Sequence, residues 1–236
     1  MSDAWDYDNR TGRGPGRTVR TLGLFVPGVR RVRGHVDPYA DAWQADNRDA
    51  LARPGRRVVV LGDSMAQGVG ASSHRGGWAG RLAERLADLD VTLVNLSASG
   101  ARVPDVLDQQ LPAMDALPPT SGSDDPDLVV VMIGSNDLFG GPGPRTALPD
   151  RFAELLDRLP DGAVVTTLPQ PRRAAGEVNA LVEAAATAGR VHVVDLRTDG
   201  PPSWRGRIAE DFFHPNDAGY EALADAVEPV VRRALA

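Results

Sequence analysis

Four polar motifs in this chain carry the residue types that can cleave an ester bond. Ser64 lies in a Gly-Asp-Ser motif directly after the apolar run 58–61. A serine hydroxyl is a weak nucleophile until a neighbouring base accepts its proton, and histidine has a suitable pKa for that task. His214 is the candidate base, and Asp211 can accept a hydrogen bond from its second ring nitrogen. These residues indicate a serine nucleophile; the alternative is that Ser64 caps the following helix.

The same chemistry needs hydrogen-bond donors aimed at the negative oxygen of the tetrahedral intermediate. Gly100, in Ser-Ala-Ser-Gly-Ala, can offer an N–H that no side chain obstructs. Ser64 can offer its own N–H, and Asn136 can offer its side-chain amide. The Gly-Ser-Asn-Asp motif around Asn136 is, by itself, also typical of a plain turn. The order of the motifs, each after an apolar run, favours the catalytic interpretation.

The motifs alternate with patterns that predict strands and helices. Apolar runs predict buried strands at residues 58–61, 91–96, 128–133, 163–168 and 191–196. Helical patterns are present at residues 38–53, 78–89, 103–117, 151–159, 174–188 and 216–235. Such alternation predicts a three-layer α/β/α sandwich with about five parallel strands, flavodoxin-like in outline, in which the most apolar run, 128–133, is central. The motifs that follow the strands should then meet at one edge of the sheet.

The composition excludes several other kinds of chemistry. The net charge of −6 argues against general nucleic-acid binding. The absence of cysteine excludes disulfides and thiolate catalysis, and the absence of lysine excludes a Schiff base. The four histidines show no metal-ligand spacing, so we expect neither a metal site nor a cofactor. His74, in a Gly-rich loop, is interpreted as a solvated residue.

The chain resembles the SGNH or GDSL hydrolases, which carry Ser, Gly, Asn and His in four separate sequence blocks. The matching residues in this chain are Ser64, Gly100, Asn136 and His214. The resemblance implies that Ser64 is the nucleophile and that His214, oriented by Asp211, is the base. It also implies an oxyanion hole formed by the N–H groups of Ser64 and Gly100 and by the Asn136 amide.

The resemblance covers about residues 57–236. Met65 stands where the first block often carries leucine, a swap that conserves volume. The resemblance implies an SGNH-hydrolase fold. It also implies a serine ester hydrolase, an esterase or lipase, that acts through an acyl-serine intermediate on a small-molecule ester. Removal of acetyl groups from a carbohydrate or metabolite, and lysophospholipid hydrolysis, are alternatives in the same family. A non-catalytic or membrane-peripheral binding module on the same scaffold is the alternative from another class.

Two loops are candidates for lining the substrate pocket. One contains Phe139 and the Gly/Pro-rich stretch 140–144, and the other is 201–204 with Trp204. The acidic residues Asp63 and Asp137, next to Ser64 and Asn136, are interpreted as bonding partners of loop N–H groups. The sequence gives no indication of oligomeric state or of acyl chain length.

The chain is divided into a basic arm with a lead-in helix, 1–55, and a hydrolase domain, 56–236. Residues 1 to about 20 are polar and unpatterned, which predicts disorder. Residues 10–33 contain seven arginines and no acid, together with the apolar run 22–26. Such a segment can rest on an anionic membrane surface. We favour packing of 22–26 onto the domain with solvated arginines, and in the absence of a signal sequence we expect a cytoplasmic location.

Overall fold

The computed structural model describes residues 5–14, 25–120, 122–123 and 125–236. Its sheet has five strands: β1 (Arg56–Gly62), β2 (Val91–Asn95), β3 (Leu128–Met132), β4 (Ala163–Thr166) and β5 (Val191–Val194). All neighbours are parallel, in the order β2-β1-β3-β4-β5. This is the flavodoxin-like order. The predicted fold is confirmed, including the central position of β3, every residue of which is buried.

Helices cover both faces of the sheet. They are α1 (Pro27–Arg33), α2 (Val36–Leu51), α3 (Trp78–Arg85), α4 (Val103–Asp105, continued by a π-helical turn Val106–Gln110 and by Leu111–Asp115), α5 (Ser135–Phe139), α6 (Pro142–Arg158), α7 (Arg173–Thr187) and α8 (Asp217–Leu235). The sheet separates two hydrophobic cores, one on each face, and alternate residues of β1 belong to one core or the other. Val59 and Leu61 pack with α4, α6 and α7, whereas Val58 and Val60 pack with α3 and α8. Burial on both faces explains the uninterrupted apolar runs.

The prediction for residues 140–159 is wrong at its beginning. The sequence pattern assigns the Gly/Pro-rich stretch 140–144 to a loop and predicts a helix from residue 151. In the structure α6 begins at Pro142, with Gly141 as its N-cap. Proline is tolerated in the first helical turn because the N–H that it lacks would have no partner there. Pro142 and Pro144 therefore start a helix rather than interrupt one.

The prediction of disorder for residues 1 to about 20 is wrong for residues 5–14, which we call the N-terminal segment. Asn9 is fully buried, and its side chain donates to the Asn95 and Ser97 carbonyls at 2.7 and 3.0 Å. Side-chain hydrogen bonds to backbone carbonyls hold this segment in place. Apolar periodicity, the usual sequence signal of an ordered element, is therefore absent. Residues 1–4 and 15–24 lie outside the described residues.

The interpretation of the basic arm also changes. Arg10 forms ion pairs with Asp37 and Asp41, and Arg13 forms one with Asp105, so these two arginines are paired rather than simply solvated. Phe25 is 79% exposed and does not pack onto the domain. Residues 22–24 of the apolar run fall outside the described part of the chain. Membrane contact through residues 10–33 stays an untested alternative.

Gln110, in the π-helical turn of α4, fixes the end of β1 just before the Gly-Asp-Ser motif. Its side chain accepts from the Gly62 N–H and donates to the Gly62 carbonyl, both at 2.8 Å. Gln110 is buried, so both backbone groups would lose a partner in Gln110→Met. We expect the free energy of unfolding to fall by about 2–4 kcal/mol in urea titrations. Gln109→Met, at the half-buried neighbouring position, is the control, with an expected change within about 0.5 kcal/mol. Equal stability of the two variants would contradict this role of Gln110.

Candidate active site

The turn after β1 places Ser64 at the carboxyl edge of the sheet. Asp63 builds this turn: its carbonyl accepts from the Ala66 and Gln67 N–H groups, and its Oδ1 accepts from the Met65 N–H at 2.9 Å. Ser64 is only 6% exposed. Its Oγ lies 2.8 Å from Nε2 of His214, a hydrogen-bond distance.

His214 is held on its other side by Asp211. Nδ1 of His214 lies 2.5 Å from Oδ2 of Asp211, while Oδ1 of Asp211 accepts from the N–H groups of Phe213 and His214 at 3.1 and 3.0 Å. Burial alone would raise the pKa of Asp211, but the hydrogen bond and charge of His214 and the two backbone donors lower it below its usual value. Asp211 is thus an ionised acceptor that fixes the orientation of the imidazole ring.

The loop that carries His214 can approach Ser64 because residue 70 is glycine. Gly70 has φ +102°, and a Cβ there would lie 2.4 Å from the Pro215 carbonyl oxygen and 2.9 Å from Cβ of His214. Two aromatic side chains tie the segment before it: Tyr220 donates to the Val69 carbonyl at 2.6 Å, and Trp43 donates to the Gln67 carbonyl at 3.0 Å. These supports are not predicted from the sequence; the glycine in the loop after the candidate nucleophile is the one signal that it carries for them.

We name the loop 97–101 the oxyanion loop after the role that the sequence predicts for Gly100. It follows β2 and lies beside the end of β1. The Ala98 N–H donates to the Gly62 carbonyl at 3.2 Å, and the Ala101 N–H donates to the Ala98 carbonyl at 3.0 Å. Gly100 has φ +77°, in the left-handed region that glycine enters without strain. A Cβ at Gly100 would meet no atom within 4 Å, so the backbone angle rather than space favours glycine here.

Asn136 is the second residue of α5, which begins directly after the turn that follows β3. Its Nδ2 donates to the Ala101 carbonyl at 3.0 Å and to Oδ2 of Asp63 at 3.3 Å. These bonds join the ends of β1, β2 and β3 and bring Asn136 to the turn that carries Ser64. The structure therefore gathers Ser64, Asn136 and the oxyanion loop at one edge, as their order in the sequence predicts.

Asp63 and Asp137 are buried carboxyl groups that bond to loop backbone. Oδ2 of Asp137 accepts from the Val103 N–H at 3.1 Å. Burial raises the pKa of Asp63 to about 6 and that of Asp137 to about 7. The hydrogen bonds to Met65 and Val103 agree with their interpretation as partners of loop N–H groups.

An apolar cavity of about 360 Å³ opens beside Ser64 and His214. It is bordered by residues on either side of Ser64 and of His214, and both pocket candidates, Phe139 and Trp204, line it. Further lining residues are Met132, Ile133, Leu168, Leu196, Pro201, Ile208 and Phe212. The Phe139 and Phe213 rings make an edge-to-face contact with centroids 5.6 Å apart. A volume of several hundred Å³ with apolar walls is typical of small-molecule sites.

His74 is not the solvated loop residue that the sequence suggested. Its Nε2 lies 3.0 Å from Oδ2 of Asp46, and its ring packs edge-on against Trp43 with centroids 5.1 Å apart. His74 belongs to the packing of α2 against the loop after Ser64. Within the described residues, no group of three or more His, Asp or Glu side chains has a metal-site arrangement.

Comparison with known proteins identifies the family. A family model described as GDSL-like lipase/acylhydrolase matches residues 60–222. The chain belongs to the GDSL-like lipase/acylhydrolase family. The family expected from the four motif residues is thus confirmed. The GDSL match begins within β1 and ends within α8, so it includes Ser64, Gly100, Asn136, Asp211 and His214.

Two curated relatives share this GDSL region. The chain is 29% identical over 204 residues to a GDSL-like esterase, Rv1075c, of Mycobacterium tuberculosis, covering 75% of this chain and 62% of that protein. It is 27% identical over 187 residues to the esterase TesA of Pseudomonas aeruginosa, covering 75% of this chain and 89% of that protein. The chain thus spans somewhat less than two thirds of the mycobacterial relative.

Solved structures agree on the fold. A crystal structure of TesA matches with a TM-score of 0.60 and 25% identity, covering 76% of this chain and 99% of that one. A lipase/acylhydrolase from Enterococcus faecalis matches with a TM-score of 0.58 and 17% identity over 76% and 96% of the two chains, which supports the fold alone. Across the described part of this GDSL protein, no helix is long and apolar enough to cross a membrane. Its cytoplasmic location stays a prediction.

The raised pKa of Asp137 predicts a pH-dependent stability difference between Asp137→Asn and the wild type. Asp137 is 2% exposed, and its pKa is about 7 in the folded protein against an ordinary value of 3.8. Between these values the unfolded chain has lost the proton and the folded chain keeps it, so this carboxyl group makes the wild type less stable as pH rises. The loss amounts to about 1.4 kcal/mol per pH unit at most.

Asparagine does not titrate, so the stability of Asp137→Asn relative to the wild type should increase from pH 4 to pH 7 and then level off. Urea unfolding at a series of pH values measures this difference. A difference that stays constant over the range would contradict the raised pKa.

Proposed function

We propose that this protein is a serine ester hydrolase that acts through an acyl-serine intermediate, with Ser64, His214 and Asp211 as the catalytic triad. The observation that carries the proposal is the continuous contact from Oγ of Ser64 to Nε2 of His214, at 2.8 Å, and from Nδ1 of His214 to Oδ2 of Asp211, at 2.5 Å. A nucleophile, a base and an acceptor that orients the base are thus in hydrogen-bond reach. Membership of the GDSL family and similarity to two esterases support the same reaction.

In the first half of the reaction, Oγ of Ser64 bonds to the ester carbonyl carbon while Nε2 of His214 takes the hydroxyl proton. The tetrahedral intermediate then collapses: the bond to the alcohol oxygen breaks, and His214 returns the proton to the leaving alkoxide. In the second half, a water molecule attacks the acyl-serine and gives its proton to His214. Ser64 recovers this proton as the acid leaves.

The oxyanion hole in this proposal consists of the N–H groups of Ser64 and Gly100 and the amide of Asn136. Each lies after a different strand. Both amide hydrogens of Asn136 are bonded in the structure, to the Ala101 carbonyl at 3.0 Å and to Oδ2 of Asp63 at 3.3 Å, so in this proposal the oxyanion replaces Asp63 as the acceptor of the longer bond. The two backbone N–H groups are donors held in advance, which stabilise the developing charge without reorganisation during the reaction.

The cavity favours an ester with an apolar acyl group larger than acetyl. The walls are mainly Met, Ile, Leu, Pro, Phe and Trp, and the polar lining residues, Asp63, Ser135, Thr166, Thr167 and Gln170, are the minority. A carbohydrate substrate would need polar partners for most of its hydroxyl groups, so this lining favours an apolar group. An apolar chain gains free energy from every methylene group that it buries there. We therefore propose acyl esters of small alcohols as the substrate class and place the acyl chain in the cavity.

Ser64→Ala tests the mechanism. Because the nucleophile is lost, kcat for p-nitrophenyl esters should fall by about four orders of magnitude or more while the fold survives. Ser72→Ala is the matched control, since the Ser72 hydroxyl is exposed and bonds to Asp217 rather than to His214. Normal turnover by Ser64→Ala would refute the proposal. Absence of turnover in the wild type, together with no labelling of Ser64 by a fluorophosphonate probe, would favour the non-catalytic binding module.

Trp204→Ala tests the position of the acyl chain. Trp204 lines the cavity, so its loss should lower kcat/KM for an octanoyl ester by about tenfold, because apolar contact with a long chain is removed. An acetyl ester should be hydrolysed with nearly the same kcat/KM as by the wild type. Phe25→Ala removes an aromatic ring that is 79% exposed and serves as the control. An equal effect of Trp204→Ala on both esters would place the acyl chain elsewhere.

A further inference from the structure

The N-terminal segment, residues 5–14, contacts the oxyanion loop although it lies outside residues 60–222, which the GDSL family model matches. Arg10 pairs with Ser99 in a parallel β-bridge. Oγ1 of Thr11 donates to the Ser99 carbonyl at 3.4 Å, and Nη2 of Arg13 donates to the Gly100 carbonyl at 3.1 Å. Two successive carbonyl groups of the oxyanion loop therefore have donors from a part of the chain that the family match does not include.

These two carbonyls determine where the Gly100 N–H points. The Ser99 carbonyl and the Gly100 N–H belong to the same peptide plane, and a trans peptide directs them to opposite sides. A donor on the Ser99 carbonyl thus fixes the direction of the N–H and also polarises it. The Gly100 carbonyl belongs to the next plane, so Arg13 limits rotation on the other side of the glycine. This restraint matters because glycine has more backbone freedom than any other residue.

Arg13 is itself held in place by Asp105. Nη1 of Arg13 lies 2.5 Å from Oδ1 of Asp105, and Nη2 contacts Oδ2, so the ion pair is bidentate. The Asp105 side chain is only 7% exposed, and Oδ2 also accepts from the Arg102 N–H at 2.7 Å. A planar guanidinium in such a pair has a defined orientation. Arg13 therefore connects the oxyanion loop to the beginning of α4.

A buried polar network joins the same N-terminal segment to the turn that carries Ser64. Nε2 of Gln67 donates to the Asn9 carbonyl at 2.9 Å and to the Ser97 carbonyl at 3.0 Å. Oε1 of Gln67 accepts from the Ser99 hydroxyl at 2.6 Å. Asn9 and Gln67 are both fully buried, so these bonds are shielded from water. The N-terminal segment thus contacts both the oxyanion loop and the turn that carries Ser64, whose relative position matters for the proposed reaction.

We propose that the N-terminal segment is a positioning element for the oxyanion hole, with Thr11 and Arg13 as the positioning residues that orient the Gly100 N–H. The inference rests on the proposed function of Ser64. Neither side chain is required to touch the substrate. Their contribution is to align a donor with the negative oxygen of the transition state, and a misaligned donor affects kcat more than ground-state binding.

The experiment compares Arg13→Met, Arg13→Lys and Thr11→Val with the wild type, using a p-nitrophenyl ester and a urea titration for each. Arg13→Met should lower kcat by about ten- to a hundredfold, the cost of a displaced catalytic group, with KM within about twofold. Arg13→Lys keeps a donor and should recover part of kcat. Thr11→Val removes a hydroxyl at nearly constant volume and should lower kcat by a smaller factor.

Affinity for an alkylboronic acid adds a second measurement. Its tetrahedral adduct with Ser64 places an oxygen where the reaction develops negative charge. In the Arg13 and Thr11 variants, binding of the boronic acid should weaken by about the same factor as kcat/KM, as expected of a transition-state mimic. A residue that only stabilises the fold would lower the urea midpoint without this parallel loss.

Arg151→Met is the matched control. The Arg151 side chain is exposed and pairs with Glu154 on α6, outside the N-terminal segment. Its loss should leave kcat and boronic-acid affinity unchanged. An equal loss of kcat in Arg151→Met and Arg13→Met would overturn the inference, as would wild-type kcat in both Arg13→Met and Thr11→Val.

The outcomes separate this inference from the proposed function. Wild-type turnover that depends on Ser64, combined with unchanged kcat in the Arg13 and Thr11 variants, overturns the positioning role alone. Absence of Ser64-dependent turnover in the wild type overturns both. If Arg13→Met does not fold, Thr11→Val decides, because it leaves the ion pair with Asp105 intact.

Discussion

The hydrogen bond between Ser64 and His214 is the contact on which the rest of the site depends. It joins two side chains 150 residues apart in sequence, so it exists only because β1 and the loop before α8 are held at the same edge of the sheet. The parallel order of the strands brings these ends together. Gly70 then permits the last approach, since any Cβ there would collide with the Pro215 carbonyl. A global topology and one local glycine are both required for this single contact.

The three carboxyl groups around the site differ in their environments and therefore in their protonation. Asp211 accepts from His214 and from two backbone N–H groups, which together outweigh its burial and lower its pKa. Asp63 and Asp137 are more deeply buried and have fewer compensating partners, so their pKa values rise to about 6 and about 7. Below about pH 6 this difference concentrates negative charge at Asp211, beside the histidine that must become positively charged in the proposed mechanism.

The N-terminal segment, residues 5–14, adds contacts to the candidate site from outside the region that the family model matches. The GDSL match accounts for the residues that would react with an ester, but it begins only at residue 60. Residues 5–14 then supply polar contacts to backbone carbonyls at and after the end of β2 and to Gln67 in the turn after β1. Such contacts explain why a segment with no apolar periodicity is ordered. They also give this chain a restraint on the oxyanion loop from outside the matched region.

The amino-acid sequence by itself determined the layer architecture, the central strand and the motif residues. Apolar runs report burial on both faces of a strand, as in β3, and the Ser, Gly, Asn and His blocks fall directly after strands or before the last helix. Local patterns carry this information because burial and turn formation are local requirements. The beginning of α6 was not predictable in the same way, because a first helical turn that contains glycine and proline has the same composition as a loop.

Only the tertiary structure decided which loops approach one another. Nothing in the pattern around Asn9, Thr11 or Arg13 marks them as partners of residues 95–105, because their bonds are made to backbone carbonyls and to a distant carboxylate. Likewise, the pairing of His74 with Asp46 depends on the packing of α2 against the loop after Ser64. A hydrogen bond to a main-chain group leaves no side-chain signature at the accepting position. The sequence therefore identified the motif residues that are proposed to react, and the packed fold determined what positions them.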